Sequence, residues 1–418
     1  MRSIRPILLA GLAALCSDAS VAEEGTKVVL GKFSEYRVRM RPRPEYDAQG
    51  MRFPGWLIMP TLTSGLYYDS NIYQEQNNMQ GSLVGLISPA IAVNSDFSRH
   101  SLNLYLSARE RYVFEDANAS TLSGRALADG RVDVLNDLAL NLGGRIELNQ
   151  DELGDNDVPL TSKTGVRYNV YGGYAGASKT FNRVTVGATG SISHYDYHDV
   201  ESVDGDVLDQ DNRDGYRYDL IAKVSYAYFP GLSFYGSAEF NERNWRDTGS
   251  SNRDSNGIEL LAGMEFDMRG TIHGSAGVGY LSQDYELETR QDIQTFAYNV
   301  ELQWTPTALV TVNIIGLQSI EESYVFGSAG QLESYAEIAV DYEFLRNWIF
   351  SPAFIYSRED YLGVNRVDNR YRALVKTDYF VNRYMKLGAA YEYERLSSDR
   401  PGVSYDRHLL GVNFNAEY

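Results

Sequence analysis

Phe296-Ala297-Tyr298-Asn299-Val300-Glu301-Leu302-Gln303-Trp304 alternates strictly: Phe296, Tyr298, Val300, Leu302 and Trp304 are large and apolar, and the residues between are small, polar or charged. Successive side chains of a β-strand point to opposite faces, so this stretch presents one apolar face and one polar face. A helix would scatter the same residues around its axis. Met385 to Tyr393 repeats the pattern: Met385, Leu387, Ala389, Tyr391 and Tyr393 oppose Lys386, Gly388, Ala390, Glu392 and Glu394. From Trp56 onward the chain alternates such segments with turn signals, and a tilted strand of about 9–11 residues is long enough to cross a bilayer.

The connections separate a membrane barrel from a soluble sandwich. Short turns are expected at Asn136-Asp137, Phe181-Asn182-Arg183, Phe229-Pro230-Gly231, Met268-Arg269-Gly270, Thr305-Pro306-Thr307, Leu345-Arg346-Asn347 and Val381-Asn382-Arg383. Longer polar loops fall between them, near 150–162, 198–213, 246–254, 322–330, 359–367 and 396–404. Tight turns at one end and larger loops at the other mark a transmembrane β-barrel. The chain closes on Leu410, Val412, Phe414, Ala416 and the terminal aromatic Tyr418. That ending resembles the signal through which the barrel assembly machinery takes up outer-membrane barrels. The fold class expected is all-β: a transmembrane, antiparallel, up-and-down barrel of about 18 strands, with 16 the nearest alternative. A barrel of that size leaves an aqueous lumen.

Composition agrees. The 418 residues carry 32 Tyr, 16 Phe and 4 Trp, rings suited to the two membrane interfaces. Mean hydropathy is only -0.35, because lipid-facing and lumen-facing residues average out. A net charge of -18 argues against nucleic acid as a partner. The expected partners are outer-membrane lipids and lipopolysaccharide.

The N-terminus reads as a secretory signal over residues 1–22: Arg2 and Arg5, an apolar stretch from Ile7 to Leu15, and small residues around Ser20-Val21-Ala22. Cys16, the single cysteine, falls inside it. A lipid-attachment reading of Cys16 is weaker, because Leu15 stands where such signals use Gly or Ala. Residues 23–55 form a charged periplasmic extension containing Arg41-Pro42-Arg43-Pro44-Glu45-Tyr46-Asp47, whose prolines forbid a regular helix or a central strand. Two readings are open for it: an unstructured lead-in, or a segment that docks in the lumen or binds a periplasmic partner. Residues 56–418 are the barrel.

No catalytic constellation, cofactor motif or metal-ligand spacing stands out. Of five histidines, His194 and His198 share a strand face with Asp196, continuing the phase of Val184, Val186, Ala188 and Ile192. The expectation is a strand end rising into a loop, with Tyr195 and Tyr197 joining an aromatic girdle if a bulge reverses the phase. The acidic stretch with Glu201, Asp204, Asp206, Asp209, Asp211 and Asp214 misses a calcium-binding loop pattern, since the twelfth position from Asp209 is Leu220. A solvated acidic loop is expected.

For the hairpin of the last strands but one, centring the turn on Asn382 pairs Asp378 with Lys386, Arg372 with Glu392 and Arg370 with Glu394. Such pairs predict a charged inner wall. Its candidates are Glu239, Glu301, Glu337, Asp341, Arg370, Arg372, Lys376, Glu392 and Glu394.

Arg41 to Asp47, Gly55-Trp56-Leu57-Ile58-Met59-Pro60 and Tyr68-Asp69-Ser70-Asn71-Ile72-Tyr73 together resemble the Putative beta-barrel porin 2 family. Ser88-Pro89-Ala90-Ile91, Ser98-Arg99-His100 and Asp129-Gly130-Arg131-Val132-Asp133 fit the same family. The resemblance implies an outer-membrane barrel of a Gram-negative bacterium. Because some members are encoded with exopolysaccharide machinery, it also implies a conduit for polysaccharide and periplasmic export proteins as partners. The function expected is a porin-like channel, with exopolysaccharide export as its specific use and a general small-solute porin as the alternative. An outer-membrane lipid hydrolase using His194 or His198, and a purely structural barrel, are readings of another class.

Overall fold

The computed structural model describes residues 38–418 except 247, 248, 250, 251, 269, 324, 326 and 329. The expected signal segment and Cys16 lie outside the described residues.

Alternation becomes architecture directly. The barrel strands are β1 (Trp56–Asp69), β2 (Ser82–Ser95), β3 (Ser101–Val113), β4 (Thr121–Asp133), β5 (Leu138–Gln150) and β6 (Arg167–Phe181). They continue as β7 (Val184–Tyr197), β8 (Gly215–Phe229), β9 (Leu232–Trp245), β10 (Ser255–Met268), β11 (Ile272–Tyr285) and β12 (Ile293–Thr307). The last six are β13 (Val310–Glu321), β14 (Gln331–Leu345), β15 (Trp348–Tyr361), β16 (Arg366–Asn382), β17 (Met385–Ser398) and β18 (Tyr405–Glu417). Each pairs antiparallel with its neighbours in sequence, and β1 pairs with β18 from Thr61↔Glu417 to Asp69↔Leu409, so the sheet closes. The 19-stranded sheet therefore contains an 18-stranded barrel plus the three-residue strand Met51–Phe53, which folds back on Trp56–Ile58. The higher of the two expected strand numbers is the observed one.

One end is joined by tight turns such as 182–183, 230–231, 308–309, 346–347 and 383–384. The other carries loops 70–81, 114–120, 151–166, 198–214, 246–254, 286–292, 322–330 and 399–404. Two expectations shift. Thr305-Pro306-Thr307 is not the turn: β12 runs on to Thr307 through a bulge after Trp304. The expected loop 359–367 shrinks to 362–365, because β15 and β16 continue pairing up to Tyr361↔Arg366.

The outer face is apolar and exposed. Leu106, Leu142, Phe296, Leu410 and Val412 are each more than half exposed, an apolar outer surface of the kind a barrel turns to lipid. Rings collect at both levels. Tyr112–Phe114 and Tyr356–Tyr371 lie toward the looped end; Trp56–Phe97, Phe344–Trp348 and Tyr384–Tyr418 lie toward the turn end.

The inner face keeps its lumen clear by laying large side chains against glycine. Tyr235 on β9 covers Gly263 of β10 and Gly277 of β11: a Cβ at Gly277 would stand 2.3 Å from the Tyr235 hydroxyl, and one at Gly263 would stand 2.7 Å from Cζ. Lys223 Nζ sits 4.3 Å from the centre of the same ring. Gly277→Val is expected to push the ring into the lumen and to cost about 1–3 kcal/mol through overpacking. Urea midpoints of the folded barrel measure the second effect. Gly236→Ala, whose Cβ would meet nothing closer than the Leu261 carbonyl oxygen at 4.0 Å, is the control.

Candidate functional site

All nine inner-wall candidates occupy the lumen phase of their strands. Their arrangement follows from register. Glu239 lies directly opposite Glu259 of β10, and Glu301 and Glu337 flank Ile315 from either side. These four carboxylates form an acidic arc from β9 to β14 near mid-height. Across the barrel, Arg109 of β3, Arg125 of β4 and Arg145 of β5 share the inner face, with Arg125 3.2 Å from Glu147 and Arg145 donating to Ser193 Oγ.

The pairings expected for the β16–β17 hairpin need a correction. Arg372 faces Glu394, not Glu392; Asp378 faces Gly388, not Lys386; Arg370 faces Leu396. The turn centres on Arg383-Tyr384, and a bulge between Phe380 and Asn382 absorbs the extra residue. The partner shift is two residues, so every side chain keeps its face. Arg370 still reaches Glu394 diagonally, Nη1 to Oε1 at 2.6 Å, within the range open to long side chains. Lys386 bonds Glu417 instead, and Asp378 is taken by Arg39.

Toward the looped end the charges condense into a buried lattice. Arg372, Glu394 and Arg407 stand in register across β16, β17 and β18. Arg407 grips Asp69 with two nitrogens, Nε–Oδ1 3.0 Å and Nη2–Oδ2 2.6 Å, and reaches Glu152 Oε2 at 3.0 Å. Arg111 of β3 bonds the same two carboxylates at 3.1 and 3.3 Å. Tyr405 and Arg370 share Glu394 Oε1. Glu359 on β15 continues the lattice to Arg370, and Lys376 and Glu392 lie buried below it.

Glu152 belongs to the loop 151–166, and the lattice is what holds that loop across the mouth. It leaves β5 and reaches the far wall, where Arg366 of β16 donates to Asn156 Oδ1 at 2.8 Å. Asp155 Oδ1 accepts from Gln74 of the first loop at 2.9 Å, and Arg213 donates to the Asp157 carbonyl. Gly154 adopts φ +99, and a Cβ there would stand 2.1 Å from the Tyr73 carbonyl oxygen. Burial pushes the Asp151 carboxyl up to about 8 and the Asp155 carboxyl up to about 6.

The turn end is narrowed from inside by the segment preceding the barrel. Val38–Met40 forms one 3-10 turn, and the Val38 amide donates to Thr311 Oγ1. Arg39 spends its whole guanidinium on the wall: Nε to Asp341 at 2.8 Å, Nη1 to Asp378 at 2.9 Å and Nη2 to Ser351 at 2.7 Å. Arg43, only 1% exposed, bonds Glu343 at 2.7 Å and lies 5.5 Å from the Phe380 ring centre. Val38, Ile349 and Phe380 make the apolar floor, with Tyr46 against it. Burial works against the charge of both arginines. For Arg39 the two carboxylates outweigh it and raise the pKa, whereas for Arg43 burial wins and lowers it.

Among the described residues, no histidine joins a group of three metal-ligating side chains. His194 lies on the lipid face between Tyr171 and Tyr216, rings 6.2 and 4.4 Å away, while His198 bonds Asn169. No bulge reverses β7, so Tyr195 and Tyr197 face inward, against Trp245 and Tyr168. Asp199, Asp209 and Asp211 approach one another in the acidic loop, but their oxygens accept loop backbone amides or pair with Arg246.

Sequence reasoning missed Asp69, Arg111, Glu152, Arg407 and the pocket for Arg39 and Arg43. Two of these lay within the resemblance stretches, Asp69 in Tyr68 to Tyr73 and Arg43 in Arg41 to Asp47.

The family description matches residues 43–418, from the buried arginine of the turn-end segment to the last residue. The chain belongs to the Putative beta-barrel porin 2 family. Members of this family are outer-membrane β-barrels, and this porin-like barrel has the closed architecture such a channel requires. No curated protein matches the chain. Among solved structures it is similar to OpdL of Pseudomonas aeruginosa, at 12% identity over 87% of this chain and 99% of that one with a TM-score of 0.44. It is also similar to OpdQ of the same organism, at 10% identity over 87% and 98% with a TM-score of 0.44. The outer membrane protein OpdK, again from Pseudomonas aeruginosa, gives 11% identity over 86% and 99% with a TM-score of 0.42.

Proposed function

We propose that this barrel is a passive outer-membrane channel for small polar solutes, restricted at both mouths by its own chain. The supporting observation is the inner wall. Its mid-height residues, Glu239, Glu301 and Glu337 among them, stay partly exposed inside an 18-stranded barrel, while loop 151–166 and residues 38–47 fill its ends. A wall that carries carboxylates from β9 to β14 concentrates cations there. Planar-bilayer recordings should therefore show a small unitary conductance with a preference for cations. Changing Glu239, Glu259, Glu301 and Glu337 to Gln should remove the preference. A folded barrel that never conducts would sink this reading.

Exopolysaccharide export is the specific use that the family resemblance suggests. A polymer needs both restrictions out of the way at once. Deletion of the gene should then abolish extracellular polysaccharide and leave small-solute uptake unchanged; the reverse pattern assigns the barrel to small solutes.

A further inference from the structure

We propose that Asp341, Glu343 and Asp378, with Ser351, form a guanidinium-binding pocket of the lumen, which Arg39 and Arg43 fill from within the chain until a guanidinium-bearing solute displaces them. This rests on the channel reading and names a solute class for it. The pocket is built for a planar, forked cation. Three nitrogens of Arg39 each meet a different wall oxygen, from β14, β15 and β16, and Ser351 in turn donates to Asp341 at 2.6 Å. Arg43 adds a second position, between Glu343 and the Phe380 face. An ammonium point charge cannot reproduce that fork.

The occupant is held in an exchangeable way. Among the described residues, 38–47 make no backbone-to-backbone hydrogen bond with the wall. Their amides bond one another, as in Tyr46 and Asp47 to the Arg43 carbonyl. Its attachment runs through side chains, the bonds of Arg39 and Arg43 to the wall and the packing of Val38 and Tyr46 on Ile349 and Phe380, and a free guanidinium offers the wall the same charged bonds. A tethered segment competes at an effective concentration in the millimolar range, so a solute must reach roughly that range to displace it.

The test follows burial of position 38. Val38 is 0% exposed, so Val38→Cys, in a chain with Cys16→Ala, should react slowly with a maleimide while the segment is docked. Heat-modifiable migration verifies the folded barrel. Tens of millimolar argininamide should speed labelling about tenfold, a shift of about 1.4 kcal/mol. Equal sodium chloride or lysinamide should do clearly less. Arg39→Glu/Arg43→Glu added to the reporter should label fast without any ligand. Oxidation of Val38→Cys/Thr311→Cys should form a disulfide that abolishes the argininamide response of bilayer conductance. Fast basal labelling, argininamide no better than sodium chloride, or failure of the disulfide to form would each overturn the proposal. Responsive labelling in a barrel that never conducts keeps the pocket and rejects the channel.

Discussion

Arg407→Ala should lower the unfolding stability of the barrel by about 3–5 kcal/mol and free loop 151–166 in the same step, because it strips a buried carboxylate cluster of its central cation. Asp69 is 0% exposed and Arg407 1% exposed, so neither charge has water to fall back on. After the change Asp69 and Glu152 share Arg111 alone, whose nitrogens are also bonded to the Tyr67 hydroxyl and the Ala119 carbonyl. Glu394 loses one of the two cations that stand opposite it in register and keeps Arg372. Arg407→Lys restores a charge without the two-nitrogen grip on Asp69 and should recover only part of the loss. Urea unfolding of the folded barrel gives the stability. Trypsin cleavage at Lys163, at the far end of the loop, gives the release. A variant with the parental midpoint and parental cleavage would show that the lattice is incidental to the loop.

Period-two alternation decides the fold because it recurs in strand after strand, and each amphipathic strand needs neighbours of the same kind to satisfy its backbone. Face assignment is equally robust: the hairpin of β16 and β17 slips by two residues, and Arg370, Arg372, Lys376, Glu392 and Glu394 all remain inside. The individual pairings are less legible, since the Phe380–Asn382 bulge leaves no sign in the alternation. Legibility ends at the two mouths. Nothing local in Asp151 to Val166 says that Asn156 meets Arg366 across the barrel, 210 residues away. Arg39 likewise finds Asp341 and Asp378 over 302 and 339 residues. Closure of the sheet sets those meetings, and a turn of prolines and arginines looks the same before it docks as after.

Alkaline pH should loosen loop 151–166, and the effect should vanish in Asp151→Asn. Asp151 is held in its neutral form by burial first of all. Arg213, 3.8 Å away, opposes this, while Asp155 and Asp157 reinforce it. Asp155 is raised to about 6 by burial and Glu152, against the hydrogen bonds from Gln74 and the Glu152 amide and the pull of Arg370. In a loop released to water both carboxyls ionise near the ordinary value of about 3.9. Between that pH and about 8, the docked loop therefore binds more protons than the released one. Linkage then makes docking weaker continuously as pH rises, with both carboxyls contributing from about 4 to about 6 and Asp151 alone from there to about 8, and flat outside that window. Acid keeps the loop across the mouth; alkali lets it go. Open probability in planar bilayers should rise from pH 5 to about pH 8, with the rise above pH 6 missing in Asp151→Asn and the rise below pH 6 shallower in Asp155→Asn. The Asn variants matter because wall carboxylates also face the lumen, and only a pH dependence that changes with its own residue belongs to the loop. Opening toward acid, or an unaltered profile in Asp151→Asn, would mean that the loop does not gate this mouth.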